Sequence, residues 1–352
     1  MIFRGKSIKT EFFGESHSES IGAKIYGFPS NFEIDFEKLK RFTERRKAKN
    51  ELSTARHEDD EPIFVSGIEN GKTNGETIEF HIKNNDVRHN SETFIPRPGH
   101  ADYPAYIKYG KIPEGGGAFS GRMTAAVCVV GGIFIQYLMK NGIHIKSHIN
   151  SVKDIFDEPF MQTESFDSTE ETSDFPVNNA EIGEKMKEAI LKAKSDGDSL
   201  GGTVECAVSG VKAGLGGALF DGLESVISYA VFAIPGVKGI EFGSGFSGST
   251  MLGSENNDGY FYENGEVKTY TNNAGGILGG MATGCAPIIF KVAFKPVPSI
   301  VKEQKSIDLS TKTNTTVKCI GRNDPCIVPR ATAVVEAMTA IALTDTIISE
   351  KL

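Results

Sequence analysis

The sequence predicts one large mixed domain of helices and strands, and three observations predict it. Apolar patterns with the period of a strand and of a helix are interspersed along the whole chain. Neither an internal repeat nor a composition-biased linker divides residues 1–352. The length is enough for one large shared core. A net charge of −8 argues against a nucleic-acid binder that works by bulk charge. Five cysteines (Cys128, Cys206, Cys285, Cys319, Cys326) form no CxxC pair, which points to a reduced, cytoplasmic protein without a zinc site. No apolar stretch follows Met1-Ile2-Phe3-Arg4, so no signal peptide is expected. Residues 123–139 carry no charge, but the run is short for a membrane span and holds Gly131-Gly132, so it predicts a buried core helix.

Residues 1–13 predict a strand pair leading into Gly14-Glu15-Ser16-His17-Ser18. This nearly matches a G-x-S-x-G nucleophile elbow, but Ser18 replaces the second glycine and no βα unit follows. Gly5-Lys6-Ser7 likewise lacks the upstream glycine of a P-loop. His17, in a turn after a strand, is a candidate acid or base. From Asp35 to about Lys49 the pattern is helical, with Asp35 as N-cap and Phe36, Leu39 and Phe42 on one face. Arg45 and Arg46 fall near its end, where they suit the dipole. Residues 52–60 read as a polar loop, and 62–68 and 77–83 as strands.

In the stretch from Phe94 to Gly117, prolines on both sides of Arg97 deny it helix or central strand and put His100 on a rigid loop. Gly115-Gly116-Gly117 then opens onto the apolar helix expected at 121–140, an arrangement suited to binding an anion. Imidazole, guanidinium and an anion cradle in one segment suggest proton transfer to or from a phosphate-like group; the bland alternative is a solvated turn with an ordinary histidine. Arg122 stands in the first helical turn, where the dipole disfavours a cation, and a ligand anion beside it would account for that.

Further along, 143–149 reads as a strand and 156–179 as an acidic surface excursion. Residues 180–195 read as an amphipathic helix, 201–211 as a strand, 219–233 as a helix capped by Asp221, and 237–242 as a strand. The G-x-G-x-x-G match at 243–248 has no helix after it and fails as a dinucleotide fingerprint. Residues 272–280 form a second glycine-rich cradle suited to a flat, phosphate-bearing cofactor, followed by a strand at 288–294 and by Lys295. Residues 300–318 read as loop. Finally, Arg322, Asp324 and Arg330 sit on a proline-stiffened segment ahead of a helix from Ala331 to about Ser349, where Arg330 repeats the placement of Arg122.

Six segments together resemble the chorismate synthase family, in order and over nearly the whole chain: GESH at 14–17, RPGHADY at 97–103, GGG at 115–117, AGGILGG at 274–280, KP at 295–296 and GR-DPC-VPR at 321–330. The resemblance implies an α+β subunit with helices sandwiched between mainly antiparallel sheets, assembled as a homotetramer. It implies reduced FMN as cofactor and a 1,4-anti elimination of phosphate from 5-enolpyruvylshikimate 3-phosphate, giving chorismate without net redox change. Carried over by position, His17 helps protonate the flavin system, His100 the departing phosphate, and Asp324 assists the base step near flavin N5. Arg46, Arg122 and Arg330 bind substrate anions, while Ser120, Gly280, Lys295, Ser299 and Arg322 hold FMN; no metal is implied. Ser18, Ala118 and Asn323 depart from the family's motifs, as does Lys47-Ala48-Lys49. Ser18, Ala118 and Asn323 motivate a second reading, a non-catalytic flavin- or anion-binding homologue. No nicotinamide site is recognisable, which leans toward an external flavin reductase and leaves reduction of its own flavin with NADPH open.

Overall fold

The computed structural model describes residues 1–87, 93–160, 162, 166 and 173–351. Two five-stranded antiparallel sheets enclose a pair of long helices. The first sheet runs in the order Ile2–Arg4, Lys9–Gly14, Ser20–Tyr26, Ile78–Lys83, Ile63–Ser66. Its inner face follows from strand alternation: Ile21, Ala23 and Ile25 stand opposite Ile82, Phe80 and Ile78, and all six are buried. The second sheet runs Val237–Phe242, Ile288–Phe294, Gly202–Ser209, His144–Val152, Ile155–Phe156. There Cys206 pairs with Phe290 and Val204 with Val292, all fully buried.

Between the sheets lie the central helix Thr124–Lys140 and the C-terminal helix Val328–Glu350. Both are apolar and long enough to cross a membrane, the first counted from Gly121, yet both lie mostly inside the molecule. A helix apolar all round is what such a position requires. The two approach closely because their contact residues are small: a Cβ at Gly131 would collide with Ala337. The polar groups of the C-terminal helix are answered from both sides. Glu336 accepts from Arg45 Nη1 and Nη2 at 2.7 and 2.8 Å and from Ser147 N at 2.9 Å. Asp345 accepts from the backbone N–H groups of Lys6, Ser7 and Ile8 at 2.9, 2.8 and 2.7 Å, fastening the first hairpin.

Several expectations need correction. The first helix spans Phe36–Glu44, capped by Asp35 as expected, and ends before Lys49. His100 lies ahead of a helix that the sequence reading did not place, Asp102–Tyr109; Pro104 falls in its first turn, where a missing N–H has no partner to lose. Asp221 does not cap: it pairs with Lys6, and Gly222 precedes the helix Leu223–Val231. Residues 304–317 form a hairpin, Gln304–Asp308 with Thr313–Val317. The excursion at 156–179 lies partly outside the described residues. Its Asp157 is buried, bonding His148 Nδ1 at 2.9 Å and accepting from Asn178 N and Asn179 N at 2.5 and 2.9 Å.

Candidate active site

The two buried helices begin at the same end of the molecule, and there a cleft of about 1660 Å³ opens. Ordinary small-molecule pockets hold roughly 300–1,000 Å³, so two ligands can share this one. Its wall carries eleven lysines and arginines against seven carboxylates, in a chain whose net charge is −8. Focused positive potential in such a cleft favours anionic ligands. His17, His100, Asp324, Ser120, Lys295, Ser299, Arg322, Arg46, Arg122 and Arg330 all line it. Gly280 does not. It packs against the backbone of Gly217 and Gly222, and the 272–280 segment folds on its own chain, with Asp258 accepting from Asn273 N and Ala274 N at 2.8 and 2.9 Å.

Arg46 comes off the end of the first helix and Arg122 stands before the central one, and both point at Asp60. Arg46 Nη1 donates to Asp60 Oδ2 at 2.9 Å, and Arg122 Nη1 donates to Oδ1. The anion that Arg122's position called for is therefore supplied partly by the chain itself. Asp60 is buried in the left-handed region at φ 53°, an uncommon conformation for a residue other than glycine. Burial works to raise its pKa, but the two guanidiniums outweigh burial and hold the carboxyl below its usual range. Burial also pulls Arg46 down to about 10, still well above neutral pH, so the guanidinium stays charged. Two cations sharing one carboxylate leave a buried excess of positive charge facing the cleft.

Arg330, at the start of the C-terminal helix, has its own carboxylate. Its Nη1 donates to both oxygens of Asp324 at 2.9 and 2.8 Å, and its Nε donates to Arg46 O at 2.8 Å. Asp324 also accepts from Thr54 N at 2.9 Å, which ties the 52–60 loop to the site. Arg56, in that loop, donates to Ser16 Oγ at 3.0 Å and to Glu58 Oε1 at 2.6 Å, beside His17.

The glycine loop seats two histidines. Gly115 packs on the ring of His17, where a Cβ would overlap it, and Gly116 on that of His100, where a Cβ would be tight at 3.3 Å. On its far side His100 meets Asp102, with Nδ1 2.6 Å from Oδ1. Ser299 Oγ accepts from Arg97 Nη1 at 3.3 Å, and Ser120 Oγ from Arg122 N at 3.2 Å. Arg322 is paired with Asp86. Lys295 donates to Gly99 O; desolvation first and nearby Lys238 second lower its pKa. Lys238 also lines the cleft, and two lysines that feel each other's charge there suit a phosphate. Ser18 needs no glycine conformation: its hydroxyl accepts from Glu15 N at 2.8 Å and donates to Ser20 O at 2.7 Å, closing the turn.

Asp60, Asp86 and Asp102 had no role in the sequence reading. Only Asp102 carried a local signal, a carboxylate two residues after a histidine in a proline-stiffened turn.

The family described as chorismate synthase matches residues 8–348. A chorismate synthase of Pyrococcus abyssi is 43 % identical, over 97 % of this chain and 96 % of its own. Those of Thermococcus gammatolerans and Lancefieldella parvula are each 41 % identical, over 99 % and 98 % of this chain and 98 % and 96 % of theirs. A crystal structure of chorismate synthase superposes with a TM-score of 0.78 at 26 % identity, covering 99 % of this chain and 93 % of that one.

Proposed function

The chain belongs to the chorismate synthase family, and we propose that its cleft binds reduced FMN together with the substrate of the family's elimination. That reaction removes phosphate from 5-enolpyruvylshikimate 3-phosphate to give chorismate, which makes the chain a carbon–oxygen lyase of aromatic amino acid biosynthesis. The family match supports this reading over a non-catalytic homologue. The observation that carries the site is the excess of buried cations at the helix starts, facing two histidines seated on one glycine loop.

The residues present fit FMN. The cleft has room for it beside the substrate, and the Lys295–Lys238 pair suits its phosphate. Ser120, Lys295, Ser299 and Arg322 hold it, without Gly280 of the same chain. When bound, reduced FMN supplies the electron density that the departing phosphate draws from the substrate.

Arg46, Arg122 and Arg330 bind and orient the substrate's anionic groups. His100 passes a proton from its ring to the phosphate as it leaves, and His17 serves proton traffic on the flavin side. Asp324, held by Arg330, assists removal of the substrate's C6 hydrogen. The exposed Leu219, Phe220, Phe246 and Tyr262 support assembly as a homotetramer, and five cysteines without a disulfide support the cytoplasm. Reduced flavin comes from an external reductase.

The test is an anaerobic assay with dithionite-reduced FMN and 5-enolpyruvylshikimate 3-phosphate, following chorismate and free phosphate together. Equal release of both, absent with oxidised flavin, is expected. Flavin binding without product would overturn the reading.

A further inference from the structure

We propose that Asp102 is a positioning residue for this elimination, holding one proton of His100 on Nδ1 so that Nε2 is the nitrogen that serves the departing phosphate. The proposal rests on the reading of His100 as the acid. Asp102 opens the helix Asp102–Tyr109, and its side chain is 1 % exposed. Its Oδ2 accepts from Arg97 N at 3.0 Å and Arg97 Nε at 2.7 Å. Its Oδ1 accepts from Arg97 Nη2 at 2.8 Å and lies 2.6 Å from His100 Nδ1. Arg97 Nη2 is also 3.1 Å from that ring nitrogen.

One arrangement of protons satisfies all of these distances. Without a proton, Nδ1 would set its lone pair against a carboxylate oxygen 2.6 Å away. With one, it makes a charge-assisted bond to Asp102, and the guanidinium, which has donors only, gives its hydrogen to the same oxygen. Asp102 is ionised in this setting: burial works to raise its pKa, but hydrogen bonds from Arg97 and His100 outweigh burial and keep the carboxyl below the usual range. His100 therefore keeps Nδ1–H in both of its charge states, and the exchangeable proton is on Nε2. That nitrogen lies against the glycine loop, where a Cβ on Gly116 would come within 3.3 Å of it.

In the transfer, the Nε2–H bond breaks and an O–H bond forms on the phosphate. The imidazolium becomes neutral imidazole with Nδ1–H intact, and solvent restores the lost proton. Pro96 and Pro98 fix the backbone of Arg97, which in turn holds Asp102 by three hydrogen bonds.

The test is 15N NMR of the full-length protein labelled in histidine, with His100 assigned by the loss of its signals in His100→Gln. Titration is expected to move Nε2 while Nδ1 stays protonated. A neutral His100 carrying its proton on Nε2 would overturn the proposal, a reading made on the parent protein that does not depend on Asp102→Asn folding. Asp102→Asn should lower kcat about 100-fold or more while KM changes by no more than about threefold. It should also shift neutral His100 toward Nε2–H, and Asp102→Glu should restore part of the rate. An unchanged kcat in folded Asp102→Asn would equally overturn it. Failure of the parent protein to make chorismate would sink the functional reading instead, and the proton on His100 would still be read directly.

Discussion

Gly115 lies so close to the imidazole of His17 that a side chain there would take the ring's place. The next residue, Gly116, packs on His100 less tightly, a Cβ there coming to 3.3 Å from the ring, so consecutive positions of one loop seat the two histidines.

Gly115→Ala tests this arrangement. Its backbone is left-handed at φ 58°, which costs a residue with a Cβ about 1–2 kcal/mol before His17 is displaced at all. Lower stability in urea and a fall in turnover are expected, with the far-UV spectrum of the native protein retained. Turnover equal to that of the parent would show that the seat of His17 is not needed.

Asp60→Ala leaves Arg46 and Arg122 buried without their carboxylate. Removing one partner of a buried ion pair costs about 3–5 kcal/mol, which urea unfolding should register. Inorganic phosphate should raise the unfolding midpoint of this variant more than that of the parent. An equal effect on both would argue against the two arginines as an anion site.

Arg330→Ala removes a cation from the cleft and also frees Asp324. Losing one charge-assisted hydrogen bond to the substrate, about 1.5–3 kcal/mol, should raise KM about 10- to 100-fold. Because Asp324 loses its support, kcat should fall too. FMN affinity, measured by fluorescence quenching, should stay nearly constant; a large loss there would move Arg330 to the cofactor side.

Acid should unfold the protein partly through Asp60 and Asp102. In the unfolded chain each carboxyl takes up its proton near pH 4. In the folded chain its pKa is lower, so it stays ionised to lower pH. Below pH 4 the unfolded state therefore binds more protons, and the stabilisation present above that pH is lost as pH falls. Asp102→Asn should flatten this part of the pH–stability curve, and a curve as steep as the parent's would exclude Asp102 from it.

Much of the fold was legible in local pattern. The strand at 237–242 and the helix at 180–195 have the expected bounds, because alternation and helical periodicity record which face is buried. The loop assigned to 300–318 failed for the converse reason: its strands Gln304–Asp308 and Thr313–Val317 are only partly buried and carry little apolar alternation. Helix Asp102–Tyr109 has a proline, Pro104, in its first turn and too short an apolar pattern to show a helical period.

By itself the sequence determined the membership in the family, the buried central helix and the residues with chemistry to offer, because these depend on residue type and local order. Only the tertiary structure decided which carboxylate answers which cation. Asp60 reaches Arg122 across 62 positions of chain, and Arg322 reaches Asp86 across 236. Partners so far apart are set by packing of helices and sheets, which no local pattern encodes. The same packing left Gly280 on its own chain's backbone, away from the cleft, and seated both histidines on adjacent glycines.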